Sequence, residues 1–201
     1  MKNLKKINIG LILTIITVLA VVIYSINIEN QRKNSKEEVK KCCEEYIDLV
    51  NKYSVLPENV QILGEDAKKI NVGDFYKEME EKLKDITISD SAALIQKKIL
   101  SNFVEKDLLD TSIFTINYDR KITKINSYEF DGNQVTVAFE CKATIKQKYI
   151  EVNLETGEQY ERMKEHSIDM PNNSITLENK DEKWKVVYSD LDYGIVDNAR
   201  R

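Results

Sequence analysis

From Ile7 to Ile28 the chain carries no charged side chain, and Ile9 to Ile26 is built almost wholly of Ile, Leu, Val, Ala and Thr. At about 1.5 Å per residue, a helix of roughly 20 such residues reaches across a hydrocarbon core of about 30 Å. Being apolar all round, it has no polar face to turn to water, so residues 7–28 are expected to span a membrane rather than to pack in a soluble core. A cleaved signal peptide shares the outline of basic residues followed by an apolar run. Here, however, Ile23-Tyr24-Ser25 offers a small residue at only one of the two places that cleavage needs, so an uncleaved anchor is expected.

The next pattern has the helical period. Ser35-Lys36-Glu37-Glu38 is a capping box, and Val39, Cys42, Cys43, Tyr46, Ile47, Val50 and Tyr53 recur at spacings of three and four until Pro57 closes the segment. Residues 58–72 are mixed and read as loop. Asp74 is expected to cap a second helix with Phe75, Met79, Leu83 and Ile86 on one side, and Ser89 a third with Leu94, Ile95, Ile99, Phe103 and Val104 on its inner stripe.

After about residue 120 the period becomes two. Val135, Val137, Phe139, Cys141, Ala143 and Ile145 alternate with polar residues, which makes the odd-numbered face of this strand the core face. Ahead of it, Ile122 to Phe130 leads into the turn signal Asp131-Gly132-Asn133 and forms a hairpin with it. Behind it, a two-residue turn at Thr156-Gly157 would set 155 opposite 158, aligning Ile145 with Ile168, Ala143 with Met170, Glu151 with Arg162 and Lys148 with Glu165. The outer hairpin is then polar on both faces and projects beyond the core. Ser174 to Glu178 and Trp184 to Tyr188 complete a meander, with Trp184, Val186 and Tyr188 on one face. Helices followed by antiparallel strands make an α+β class, in which about three helices pack on one face of a sheet.

This order of helices, the long central hairpin and the closing Trp184-Lys185-Val186-Val187-Tyr188 strand resemble the nuclear-transport-factor-2-like superfamily over roughly residues 35–193. The resemblance implies a cone in which helices fill the concave side of a curved sheet. It also implies an interior that Tyr46, Val50, Phe139 and Trp184 would line. A short tail, one span and an external domain look like the bitopic scaffold subunits of conjugation and type IV secretion channels; similar domains also serve as non-catalytic modules of bacterial cell-wall proteins. The plan is therefore a cytoplasmic tail (1–6), an anchor (7–28), a linker (29–34), an extracytoplasmic α+β domain (35–193) and a C-terminal tail (194–201). The inside position of the N-terminus rests on Lys2, Lys5 and Lys6, against which Arg32, Lys33, Lys36, Lys40 and Lys41 count on the far side.

Charge and chemistry narrow the function. The formal net charge is -4, yet Lys2, Lys5, Lys6, Arg32 and Lys33 fall before residue 35 against Glu29 alone, so the remainder is more acidic still and unsuited to a phosphate backbone. Cys42, Cys43 and Cys141 are too few for a disulfide framework or a zinc site; they are expected to pack, with Cys42 or Cys43 within conceivable reach of Cys141. Superfamily enzymes place an Asp or His with Tyr in the cone. His166, the single histidine, falls opposite Gln147 near the polar tip in the expected register, and Asp48 borders the helical stripe, where it could edge a pocket. Asp190-Leu191-Asp192-Tyr193-Gly194 departs from a calcium loop in the place of its glycine and lacks the closing acid. Glu78, Glu80 and Glu81 read as a solvated face. No catalytic, cofactor or metal residue is assigned. Binding is expected instead, through Tyr149, Tyr160, Arg162 and Lys164 on the hairpin tip, to an envelope protein or to another copy; a small ligand in the cone is the alternative.

Overall fold

The computed structural model describes residues 9–61, 72–109 and 112–192. The expected tails, 1–6 and 194–201, lie outside those residues. The chain divides into two compact units, Met1–Glu38 and Val39–Arg201. Helix α1, Ile9–Tyr53, contributes to both.

In the first unit, α1 holds a stretch long and apolar enough to cross a membrane, none of it buried within the protein. Thr17 Oγ1 donates to the Leu13 carbonyl at 2.9 Å, so its hydroxyl is satisfied within the helix. The expected linker, 29–34, and the expected start at Ser35 are not seen: α1 runs through them without a break. Glu29 to Asn34 contains neither Pro nor Gly, and prolonging an existing helix gains one hydrogen bond per residue without a second nucleation.

The second unit is α+β: the C-terminal part of α1, helices α2 (Gly73–Ile86) and α3 (Asp90–Leu109), and an antiparallel sheet in the order β1-β2-β3-β4. Val39, Cys42, Cys43, Tyr46, Ile47, Val50 and Tyr53 are all buried, the stripe read from their spacing. α2 starts two residues early, with Val72 at the cap position and Asp74 inside the first turn, where its charge still favours the positive end of the helix dipole. Ser89 caps α3 as expected, its Oγ accepting from the Ala92 amide at 3.2 Å.

The inner face of α3 differs from the expected one. Leu94 and Ile95 are more than half exposed, while Ala92, Ala93, Gln96, Leu100 and Val104 are buried; the Phe103 side chain lies outside the described part. Two alanines let this helix approach closely, and the polar Gln96 is buried because partners wait for it in the core.

β1 (Ile113–Asp131) begins well before Ile122, and bulges between Thr115 and Asn117, Ile122 and Lys124, and Ile125 and Ser127 break the alternation that would have revealed it. Gly132, at φ 59°, turns it into β2 (Gln134–Val152), whose odd-numbered residues Val135 to Ile145 are buried as predicted. β2 and β3 (Gln159–Lys180) pair two residues away from the expected register: Ile145 faces His166, Ala143 faces Ile168 and Cys141 faces Met170.

The cause of that shift is the turn. Asn153 Oδ1 accepts from the amides of Glu155 (2.9 Å) and Thr156 (3.3 Å), and the Gly157 amide closes on the Asn153 carbonyl at 2.8 Å with φ 73°. This loop from Asn153 to Glu158 replaces the expected two-residue turn. β4 (Lys183–Asp190) follows a tight turn at Asp181-Glu182. A register shift between Thr176 and Leu177 turns Tyr188 outward, at 53% exposure, and buries Ser189 in its place, so Tyr188 does not share the inner face of Trp184 and Val186.

Candidate functional site

The outer part of the β2–β3 hairpin stands past the end of β1, whose pairing with β2 starts at Ile113 opposite Tyr149. Around the end of β1, Tyr149, Tyr160, Arg162 and Lys164 come together on one face of the hairpin. Arg162 is the cross-strand partner of Tyr149, Lys164 that of Gln147 and Tyr160 that of Glu151. The Lys164 ammonium sits 5.8 Å from the Tyr149 ring centroid and the Arg162 guanidinium 5.9 Å from that of Tyr160. Arg162 Nε also donates to Glu151 Oε2 at 2.8 Å, a diagonal pair in place of the direct one expected, and the Tyr160 hydroxyl donates to Glu158.

On the opposite face Lys146 pairs with Glu165 at 2.9 Å and Lys148 with Glu161 at 2.7 Å, so Lys148 does not meet Glu165. The tip is not purely polar: Leu154 is 96% exposed and Met163 76%. A surface cavity of about 970 Å³ beside this outer part of the hairpin is bounded by Glu58, Gln61, Lys148, Glu161, Arg162 and Met163.

Tyr46, Val50 and Phe139, expected as pocket walls, are wholly buried within one packed cluster, and Trp184 packs half-buried against it. The Tyr46 hydroxyl donates to Gln96 Oε1 at 2.6 Å and lies 2.8 Å from Ser189 Oγ, which itself donates to Gln96 Oε1 at 2.9 Å. The two hydroxyl protons both serve Gln96 Oε1, and the cluster joins α1, α3 and β4 within the core.

Asp48 does edge an open groove, about 430 Å³, which it shares with Lys52, Asn117 and Asp119. Beside it Asn51 holds both backbone groups of one β1 residue, Nδ2 donating to the Arg120 carbonyl at 2.8 Å and Oδ1 accepting from the Arg120 amide at 3.0 Å. The Arg120 side chain is fully buried, with Nη2 donating to the Tyr118 hydroxyl at 2.8 Å and to the Asp192 carbonyl at 2.6 Å. Reading by alternation missed Arg120, because the bulges of β1 hide that Tyr118, Arg120 and Ile122 share the core face.

His166 stands opposite Ile145 rather than Gln147. Desolvation lowers its pKa, with Lys164 adding to the effect. Cys42, Cys43 and Cys141 are free and buried, so neither pairing with Cys141 forms. Cys42 Sγ instead donates to the Trp184 carbonyl at 3.4 Å. Burial raises all three thiol pKa values, those of Cys42 and Cys141 to about 11. Among the described residues no group of three or more His, Cys, Asp or Glu is placed to hold a metal ion.

No family model and no curated protein matches this chain. The crystal structure of the intermembrane space region of chloroplast protein ARC6 is similar at 14% identity and a TM-score of 0.26, over 56% of this chain and 76% of that one. A likeness at that score bears on neither fold family nor function.

Proposed function

We propose that this chain is a membrane-anchored, extracytoplasmic interaction module of a bacterial envelope complex, nuclear-transport-factor-2-like in fold and without chemistry of its own. The observation that carries the proposal is the outer β2–β3 hairpin, where Tyr149, Tyr160, Arg162 and Lys164 share one face and Leu154 and Met163 are left open. Aromatic side chains, Met and Arg are the residues enriched where proteins dock. Helices that precede a four-stranded meander support the fold assignment, and the apolar stretch of α1 supports the anchor. A ligand-binding or isomerase-like cone would need an open interior; the full burial of Tyr46, Val50 and Phe139 favours the interaction reading.

Crosslinking in intact membranes tests the proposal. Adducts with a defined envelope protein or with a second copy are expected, and recovery of the monomer alone would overturn it. Sidedness is tested by placing a cysteine at the exposed Asn172 and adding an impermeant maleimide to intact cells. Labelling is expected. Protection until lysis would put the body on the cytoplasmic side.

A further inference from the structure

β4 pairs with β3 only from Ser174 to Lys180, so among the described residues no strand lies against the outer edge of β3 from Gln159 to Asn173. At about 3.3 Å per residue this is roughly 50 Å of strand edge, whose outward amides and carbonyls meet no strand. Pro171, which has no amide hydrogen, interrupts it and leaves Gln159 to Met170 as a regular edge.

Side chains along that edge sort by sign. Tyr160, Arg162, Lys164 and His166 lie on the face that carries the core, because their β2 partners are Glu151, Tyr149, Gln147 and Ile145. Glu161, Met163, Glu165 and Asp169 lie on the other, opposite Ile150, Lys148, Lys146 and Lys142. One face therefore holds only basic or neutral groups, and the other only acidic or neutral ones.

This segregation bears on which strand can dock. Two copies pairing antiparallel about a two-fold axis keep each face on its own side, and directly opposed residues share a face. At any offset Arg162 and Lys164 then meet basic or neutral groups, while Glu161, Glu165 and Asp169 meet acidic or neutral ones. No offset yields an opposite-charge pair. A strand with acids on one face and bases on the other can place an opposite charge beside each charged residue, as β2 does directly through Lys146–Glu165 and diagonally through Lys148–Glu161 and Glu151–Arg162.

We infer that the β3 edge from Gln159 to Met170 is where the module, on the interaction reading above, takes its partner: an extended segment of another protein in which acidic and basic residues alternate, added to the sheet as a further strand. The backbone ladder supplies affinity and the two charged faces set the register. Met163 offers an apolar contact on the acidic face.

The test uses the full chain in detergent micelles with a short peptide of alternating Glu and Lys. Controls are a peptide of the same composition in two blocks and an alternating peptide N-methylated at every second amide. The alternating peptide is expected to bind and to slow amide exchange between Gln159 and Met170, and both controls to bind about tenfold more weakly or worse. R162E/K164E, which makes both faces acidic, is expected to lose the alternating peptide by a similar factor and to gain one of lysine alone, which carries positive charge on both faces. Equal binding of alternating and block peptides, protection elsewhere, or no binding would overturn the inference.

Photo-crosslinkers at Met163 and at the exposed Leu94 of α3, in intact membranes, separate this inference from the broader reading. Adducts at Met163 support the edge. Adducts at Leu94 alone remove the edge and keep the module, and adducts at neither remove both.

Discussion

Asn51→Leu isolates the contact that joins α1 to the edge of β1. Leucine matches asparagine in the number and branching of its side-chain heavy atoms and is the bulkier of the two, so the change removes two hydrogen bonds, of 2.8 and 3.0 Å, without leaving a cavity. Each bond serves a backbone group of Arg120 that is shielded on the helix side. Stripping a buried backbone group of its partner costs about 1–3 kcal/mol, and partial burial places each near the lower end, so the total is about 2–3 kcal/mol. For a body of this size about 1 kcal/mol moves Tm by about 2–4 °C, which predicts a fall of about 4–12 °C. Fluorescence of Trp184, the single tryptophan and half-buried against the core, follows the unfolding of the full chain in micelles. Asp48→Asn, exposed on the same helix one turn earlier, is the control and should leave Tm unchanged. A change of under about 0.5 kcal/mol in Asn51→Leu, the range of ordinary surface substitutions, would refute the assignment.

Three further outcomes follow from particular side chains. Ala93 is fully buried in α3 while Leu94 and Ile95 are exposed, so Ala93→Leu should cost about 1–3 kcal/mol in chemical denaturation and Leu94→Gln under about 0.5. Glu80 bonds to Lys84 and Lys97, which hold its pKa down at about 2 from an ordinary 4.5. A carboxyl depressed in the folded state stabilises above the unfolded value and loses that contribution as the pH falls toward the folded one, so the Tm deficit of Glu80→Gln should shrink between pH 4.5 and about 2. For Cys42 and Cys141 the sign reverses: thiols raised from 9.0 to about 11 favour folding at neutral pH, and that contribution fades between those values. A thiol reagent at pH 7.5 should leave the native chain untouched and titrate all three cysteines in denaturant.

What could be read from residues, and what could not, separates by the range of the interaction involved. The stripe from Val39 to Tyr53 and the alternation from Val135 to Ile145 are local periodicities, and every one of those side chains is buried. Apolar character alone does not mark the inner face of α3, where Leu94 and Ile95 point outward. Gln96 goes in because Tyr46 and Ser189, distant in sequence, supply its partners, and Ala92 and Ala93 because a close helix contact needs small side chains. β1 was half missed for a related reason: its bulges suit its fit to β2 and leave no period behind.

From Cys141 to Val152 the β2–β3 register turns on one hydrogen-bonding side chain, Asn153, whose grip on the next amides enlarges the turn and moves those pairings by two residues; the bulge between Phe139 and Cys141 resets the pairing beyond it. A shift of two leaves every side chain on its own face, whereas a shift of one would have exchanged the faces. The partners named for Ile145, Ala143 and Lys148 were therefore wrong, while the gathering of Tyr149, Tyr160, Arg162 and Lys164 on one side survived. By the same parity, the separation of basic from acidic residues along β3 depends only on alternation within that strand. It would hold through any further slip by two, so the edge keeps its selectivity even if the hairpin turn relaxes.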